Sequence, residues 1–570
     1  MQAKRILWSH DVLLIGGMAI LAACGLIYEY LIAHYASRII GAVEITIYAM
    51  IGTMIVAMGV GAFLARLISC PYRGFAWLEL LIALFGSASI LIMAAAQFLA
   101  YKVPDQLQAV YGLHVSIELH GSFISAIQSL SLLIPFITGF IVGLLVGMEI
   151  PLIARIREQE YQRHLTHNTG TIYGADYIGA GIGAAIWVLV FLSLPIVQAA
   201  TFTAAANALI GIIFLLKYHR RLNQKIWLWL GHLMLILFLI ALLWRGESWV
   251  QQMNNALFRD QVLYSKATPY QQLSLTSRQT SKTGFSTLSL FINGRLQFAS
   301  SDERIYHAYL TTPAMLAAAR HDKILIIGGG DGLAVRDLLQ WNPQNITLLE
   351  LDEQMISLFS GKDKAAPSTL SERLLNLNQH AFLDERVEIQ ISDAFLQVEE
   401  LIKQQQHFDV IIVDLPDPSH PVLNKLYSDY FYSRLHTLLN GDGVVAIQST
   451  SPYHAKNAFV SIGKTLASAG FNTEQYHANV PSFGEWGWTI GTKYGSSASS
   501  RIKQIDRALL KNHFLSKDSV LASFVFFPEY YLDAEKIKVN NLGSNQVYQY
   551  HYDAWVKDNG VFLIEGSQSY

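Results

Sequence analysis

The chain has 570 residues, of which 52% are hydrophobic and 15% charged, with a formal net charge of −2. That length is too great for one ordinary domain, and the apolar share is too high for an average soluble protein. The near-neutral balance excludes bulk electrostatic attraction to nucleic acid, so no nucleic-acid partner is expected.

The apolar excess is uneven. Up to about residue 245 the sequence reads as apolar runs separated by short polar loops; beyond it charges become regular and runs of about 20 apolar residues vanish. Seven spans suit helices that cross a bilayer, at roughly 11–33, 45–67, 76–100, 122–150, 172–194, 197–216 and 226–244. The fifth and sixth are separated only by a turn at Pro195. The first is long and is followed by further spans, which marks a membrane helix rather than a cleavable signal peptide. The Gly170, Gly174 and Gly179, Gly183 spacings suit close helix packing rather than chemistry. Cys24 and Cys70, the only cysteines, lie far apart in or beside apolar runs, so neither a disulfide framework nor a cysteine metal site is indicated, and no metal is expected. The expected setting is a multi-pass protein of the cell membrane, with lipid as one partner.

Loop charges bear on orientation. Basic residues collect near the amino terminus (Lys4, Arg5) and in alternate loops: Arg66 and Arg73; Arg155, Arg157 and Arg163; Lys217, Arg220, Arg221 and Lys225. The positive-inside rule puts these in the cytoplasm, and seven crossings then carry the remainder of the chain to the opposite side.

Past the spans, residues 269–300 read as a β-hairpin layer: "STLSLFINGRLQF" carries Asn293-Gly294, suited to the positive φ angles of a tight turn. "DERIYHAYLTTPAMLAA" is helical by its apolar spacing. From Lys323 short apolar strands alternate with helices: "KILIIGGGDG", "NITLLELD", "VEIQISDAF", "FDVIIVDLPD" and "GVVAIQS" supply the strands. The pattern predicts a parallel, doubly wound α/β sheet. The domain boundaries follow as a transmembrane domain over 1–245, a β-rich groove subdomain over 246–300, a Rossmann-like domain over 301–500 and an aromatic-rich extension over 501–570 without a functional reading.

In such sheets ligands lie beyond the carboxyl ends of the strands. Here those ends carry Asp331, Glu350 with Asp352, Asp393, and Asp414 with Asp417. Gly328, Gly329, Gly330 and Gly332 allow a tight turn and a close approach to a ligand, or simply close packing of strand and helix. Glu350 stands about 20 residues further on, where an acidic side chain accepts ribose hydroxyls, which favours a nucleoside ligand. Asp331 sits where a pyrophosphate would have to lie, so the ligand there is cationic rather than anionic. Adenosine joined to a positive chain points to S-adenosylmethionine, and the negative charge of Asp331 tilts the choice to its decarboxylated form. Asp393 is placed to accept from an adenine amino group. Asp414 and Asp417, stiffened by Pro416, Pro418 and Pro421, can take a proton from an attacking amine and hold that amine. Two nearby carboxylates are also expected to raise each other's pKa. The plain alternative for Asp417 is turn chemistry in Asp-Pro-Ser.

Taken together, "YQQLSL", "NGRLQFASSDERIYHAYL", "ILIIGGGDG", "LLELD", "SDAF", "DVIIVDLPDPSHP" and "LYSDYFY" resemble the spermidine synthase (polyamine aminopropyltransferase) family. The whole chain looks like its membrane-fused bacterial branch. The resemblance implies a Rossmann-like, S-adenosylmethionine methyltransferase-like fold preceded by a small β-hairpin layer. The implied reaction moves an aminopropyl group from decarboxylated S-adenosylmethionine, a co-substrate rather than a cofactor, to putrescine, giving spermidine and methylthioadenosine. Asp414 would be the proton acceptor and Asp417 a diamine contact, with Asp331 on the aminopropyl ammonium, Glu350 on the ribose and Asp393 at the adenine end. Gln271, Tyr306 and His307 fall where the family lines its substrate groove. Two departures bear on the acceptor: "DSxDP" reads "DLPDP" through Leu415 and Pro416, and Phe483 stands where soluble members carry tyrosine.

Two other functions fit part of the pattern. One is an S-adenosylmethionine-dependent methyltransferase, disfavoured by Asp331 and the paired aspartates. The other is a polyamine transporter or sensor, suggested by Glu29, Glu79, Glu149 and Asp176 in or at the ends of apolar spans. The sequence is also compatible with a homo-oligomer.

Overall fold

The structure is a computed structural model and describes residues 2–40, 43–110, 122–161, 167–222, 225–255, 258, 260–279, 286–506 and 514–559. It divides into two compact units, Met1–Arg259 and Asp260–Tyr570.

The described secondary structure of the first unit is all helical, with α1 (Gln2–Ile40), α2 (Val43–Leu64), α3 (Pro71–Val110), α4 (Ser122–Gly147), α5 (Glu149–Tyr161), α6 (Asn168–Leu189), α7 (Ile196–Tyr218), α8 (Lys225–Ala241) and α9 (Glu247–Asn255). Among the described residues seven helical segments are long and apolar enough to cross a membrane, the same number that the sequence predicts. In an 18-residue apolar stretch of α1, α3 and α7 the buried share is 56%, 61% and 61%, against 22% in α2, so those three form the centre of the bundle. Gly179 and Gly183 seat α6 on α1, where an added Cβ would come 2.0 Å from the Ala19 carbonyl oxygen and 2.6 Å from that of Ala23. Gly170 and Gly174 face open space and make no such contact. Residues 246–255 belong to this unit rather than to a β-rich layer, because a π-helical turn, Leu242–Gly246, runs from α8 straight into α9.

The two ends of the bundle differ in chemistry. Near His10, Arg157 pairs with Asp11 at 2.8 Å, the Tyr72 hydroxyl donates to Glu160 at 2.6 Å, and Arg155 donates to the carbonyls of Ala65 and Ile68. At the far end of α1, the Tyr35 hydroxyl donates to Asn254 of α9 at 3.2 Å. The chain therefore leaves the bundle at the end opposite its amino terminus.

The second unit opens with a four-stranded antiparallel meander: β1 (Gln261–Ala267), β2 (Gln272–Gln279), β3 (Ser286–Ile292) and β4 (Arg295–Ala299). The tight turn between β3 and β4 has φ 51° at Asn293 and 79° at Gly294, as the dipeptide predicts. After α10 (Glu303–Ala317) come β5 (Lys323–Gly328), α11 (Leu333–Leu339), β6 (Asn345–Glu350), α12 (Glu353–Phe359), α13 (Ser368–Leu377) and β7 (Val387–Ile391). Next are α14 (Ala394–Lys403), β8 (Phe408–Asp414), α15 (Pro421–Asn424), α16 (Asp429–Leu438), β9 (Leu439–Gln448) and α17 (Lys456–Ser468). The chain closes with β10 (Asn472–Val480), β11 (Gly484–Thr492), α18 (Ala498–Gln504), α19 (Lys517–Ala522) and α20 (Gln546–Asn559).

The large sheet runs β10-β11-β9-β8-β5-β6-β7. Five strands are parallel, but β11 is antiparallel to β9 and β10 to β11, so the sheet is mixed rather than wholly parallel. The apolar runs at β5 and β8 are covered on both faces: Ile324 and Ile326 join one core, Leu325 and Ile327 the other. The extension after residue 500 is tied to this domain. Asn540 donates to the carbonyls of Asn424 and Tyr427, its side-chain oxygen accepts from Gln546 N–H, and Val547 is fully buried in the second core.

Candidate active site

The parallel strands deliver their ends in spatial order: Asp393 after β7, Glu350 at β6, the glycine turn after β5, Asp414 at β8, and Gln448 at β9. The glycine turn is wedged between its neighbours. Gly328 has φ +81°, and a Cβ there would come 2.2 Å from the Asp414 carbonyl oxygen; at Gly330 one would come 2.7 Å from Glu350 Oε2. Only glycine lets this loop lie between the two carboxylates.

Asp331, Tyr306 and His307 are buried and cluster with the half-buried Asp414. The Tyr306 hydroxyl donates to Asp414 Oδ1 at 2.8 Å. His307 Nε2 lies 4.0 Å from Asp331 Oδ2, and its Nδ1 lies 2.8 Å from the Glu303 carbonyl and 3.0 Å from Glu303 Oε2. Since that carbonyl only accepts, Nδ1 carries a proton. Glu303 is in turn clamped by Arg336 at 2.8 Å and 3.0 Å. Asp331 Oδ1 accepts from Leu333 N–H at 2.9 Å, which leaves Oδ2 directed toward His307.

Burial dominates the acidities. It pushes the Asp414 carboxyl up to about 6, with Asp331 adding to the rise while His307 and the Tyr306 hydrogen bond oppose it. Burial likewise lifts Glu350 to about 7 against the hydrogen bond from Asp352 N–H, and it raises Asp331 despite the opposing His307. For His307 burial acts downward, but the Glu303 hydrogen bond and the charges of Asp331, Glu303 and Asp414 outweigh it and hold the ring up at about 9. His307 is therefore a buried cation at neutral pH, facing the acids at the mouth of the glycine turn.

Asp417 belongs to a second network. It accepts from Gln448 at 2.6 Å and Thr450 at 3.3 Å, and His551 Nε2 of α20 lies 3.2 Å away. Burial would raise its carboxyl, but His551, Gln448 and the nearby Arg295 hold it below the usual range. The expected mutual elevation of Asp414 and Asp417 is thus corrected: Asp331 is the carboxylate that presses on Asp414, and Asp417 shifts the other way. Tyr427 bridges the two regions by donating to the Pro416 carbonyl at 2.9 Å, with its hydroxyl 3.3 Å from Gln448 Oε1.

The remaining predicted residues lie at the flanks. Gln271 donates to Asp352 Oδ2 at 2.9 Å, which ties the meander to the loop beside Glu350. Asp393 caps α14 by accepting from Phe395 N–H and pairs with Lys425 at 2.7 Å, so the structure places it apart from the Asp331–Asp414 network. Leu415 packs on the apolar core, and the Phe483 ring meets Tyr306 edge-on at 6.1 Å. Gln448, Thr450, His551 and Arg295 escaped the sequence reading. Gln448 and Thr450 had one available signal, their place at the end of a parallel strand; His551 had none.

Residues 303–502 match the model of the spermine/spermidine synthase domain. A polyamine aminopropyltransferase of Shewanella oneidensis is 50% identical over 98% of this chain and 98% of its own length. Polyamine aminopropyltransferase 2 of Ralstonia nicotianae is 32% identical over 96% of this chain and 98% of its own. The crystal structure of spermidine synthase from Thermotoga maritima aligns with 49% of this chain and 88% of that one, at 22% identity and a TM-score of 0.40. With half of its residues shared across nearly the full length of a relative, the chain belongs to the polyamine aminopropyltransferase family.

Proposed function

We propose that this enzyme transfers the aminopropyl group of decarboxylated S-adenosylmethionine to putrescine, giving spermidine and methylthioadenosine. The observation that carries the reading is Asp414, a half-buried carboxylate oriented by Tyr306 beside the glycine turn and opposite Asp331. With its pKa near 6 it is ionised at neutral pH yet basic enough to accept a proton.

In this reading Glu350 accepts the ribose hydroxyls and Asp393 turns from Lys425 to the adenine amino group. Asp331 holds the aminopropyl ammonium, with His307 setting the charge around it. Gln271 closes the flank through Asp352. Asp417 holds the distal end of the diamine from its network of Gln448, Thr450 and His551. The attacking nitrogen gives its proton to Asp414 and its lone pair to the methylene next to the sulfonium. As the C–N bond forms the C–S bond breaks, and its electron pair stays on sulfur, so methylthioadenosine leaves neutral. The donor is a co-substrate, and the chemistry asks for no resident cofactor or metal. Leu415 and Phe483 give the acceptor groove an apolar character, which suits a diamine chain at least as long as that of putrescine.

The decisive assay supplies the purified full chain with decarboxylated S-adenosylmethionine and putrescine, cadaverine or spermidine, and follows methylthioadenosine. No release with any amine refutes the reading; methylated product from S-adenosylmethionine would establish a methyltransferase instead.

We place the protein in the cell membrane with its catalytic unit on the cytoplasmic side, where the sulfonium donor is made. Seven crossings and the basic end near His10 argue for the opposite side by the positive-inside rule. Substrate supply is the harder constraint. A topology reporter fused after Trp244 checks this, and a periplasmic signal refutes it.

A further inference from the structure

Two carboxylates that the transfer chemistry does not use are buried in the helical unit. Glu79 of α3 and Glu149, the first residue of α5, are both fully inaccessible. Asn207, the middle residue of α7, donates to Glu79 Oε2 at 2.7 Å and to the Glu79 carbonyl at 3.3 Å. His232 of α8 adjoins them: a Cβ on Gly211 would lie 2.8 Å from His232 Nε2 and 3.3 Å from Glu79 Cβ. Glycine at 211 thus lets the ring and the acid share one spot. Tyr28 of α1 is within electrostatic reach of both acids, and Glu149 is within reach of Glu79.

What marks the cluster is its set of buried polar atoms without a partner. Among the described residues Glu79 Oε1, Glu149 Oε1 and Oε2, Asn207 Oδ1, His232 Nε2 and the Tyr28 hydroxyl are buried with no partner. His232 Nδ1 lies 2.9 Å from the Leu228 carbonyl, so Nδ1 carries the proton and Nε2 of the neutral ring presents a lone pair. With both glutamates ionised and the ring neutral, five acceptors face one hydroxyl donor, and each glutamate that takes up a proton turns one of those acceptors into a donor. Leaving such groups unmet in a low-dielectric interior is costly, which makes acids within an apolar bundle candidates for a functional site. The span that carries Glu149 is also interrupted: α4 stops at Gly147, Met148 forms a turn, and Pro151 has no N–H to offer the Gly147 carbonyl. A proline kink of this kind leaves one helix carbonyl without its usual N–H partner.

We propose that Tyr28, Glu79, Glu149, Asn207 and His232 form an intramembrane site for the ammonium group of an alkyl amine. An ammonium brings three donors and a positive charge, which the unpartnered acceptors and the carboxylates of this cluster are suited to meet. The choice of an amine among organic cations rests on the catalytic reading above.

The test uses the full chain in lipid nanodiscs, with Asp414→Asn and Asp417→Asn weakening amine binding at the catalytic site. Equilibrium dialysis with labelled putrescine should show about one amine retained per chain. Adding Glu149→Gln or Glu79→Gln should abolish that retention, and Glu149→Asp should keep it. No amine bound by the double variant, or equal binding after either carboxamide substitution, overturns the site; a site for protons alone gives the first of these results. Methylthioadenosine release by the unsubstituted chain is measured alongside, and its absence refutes the catalytic reading without touching the binding result.

Discussion

Replacing Tyr306 with phenylalanine keeps the buried ring and removes one hydroxyl, the donor 2.8 Å from Asp414 Oδ1. A hydrogen bond to a charged acceptor contributes about 1.5–3 kcal/mol. At 1.36 kcal/mol per pH unit, its loss raises the Asp414 pKa by about one to two units. The sign follows from the ionised form being the one stabilised, so the base, near 6 in the intact protein, moves to about 7–8. At pH 7 the ionised fraction then drops by about two- to tenfold, whereas at pH 9 it is nearly restored. The assay is kcat/KM for methylthioadenosine release between pH 5 and 9.5. An acid limb displaced upward, with recovery at high pH, is expected. A loss of equal size at pH 7 and pH 9 would mean that Tyr306 acts by packing and would refute its role in setting the base.

Four further outcomes are expected. Asp331→Asn removes a charge that raises the Asp414 pKa, so the acid limb moves downward, opposite to Tyr306→Phe, while the KM for the sulfonium donor rises about tenfold or more. His551→Ala strips one partner from Asp417 and should raise the amine KM about fivefold with little change in donor KM; steady-state kinetics with each substrate varied separate the two. Gly328→Ala forces a side chain onto the Asp414 carbonyl at positive φ, and should lower the melting temperature and abolish turnover, at a cost of about 2–4 kcal/mol. Stability should depend on pH through the buried Glu303–His307 pair. The His307 pKa is raised to about 9, so its contribution is complete below its unfolded value and is lost as pH rises through 9. Glu303 is depressed to about 2, so its share is present above its unfolded value and is lost as pH falls through 2. Thermal melts of His307→Gln should lose the alkaline decline of the unsubstituted protein.

Much of the architecture is legible from short-range pattern. Runs of about 20 apolar residues announce helices long enough to cross a bilayer, because its thickness sets their length, and among the described residues seven such helices occur, the number that the sequence predicts. Alternating strands and helices announce the Rossmann-like sheet, and Asn293-Gly294 its hairpin turn. The antiparallel pair β10 and β11 was hidden because "NTEQYHANV" and "GEWGWTIGT" have no clean alternation, and direction is set by which edge of the sheet remains open. The helical continuation through 247–255 was hidden because its amphipathic pattern lacks the apolar run of a span.

The sequence alone determined which residue types stand at the strand ends, because β strands deliver successive loops to one edge wherever they are parallel. It therefore named Asp331, Glu350, Asp393, Asp414 and Asp417. Which charge acts on which was decided only by tertiary structure. His551 comes 134 residues after Asp417 yet touches it; Lys425 occupies Asp393; and Asp331, rather than its sequence neighbour Asp417, presses on Asp414. Electrostatic coupling depends on separation and burial in space, and neither is written in the order of the chain.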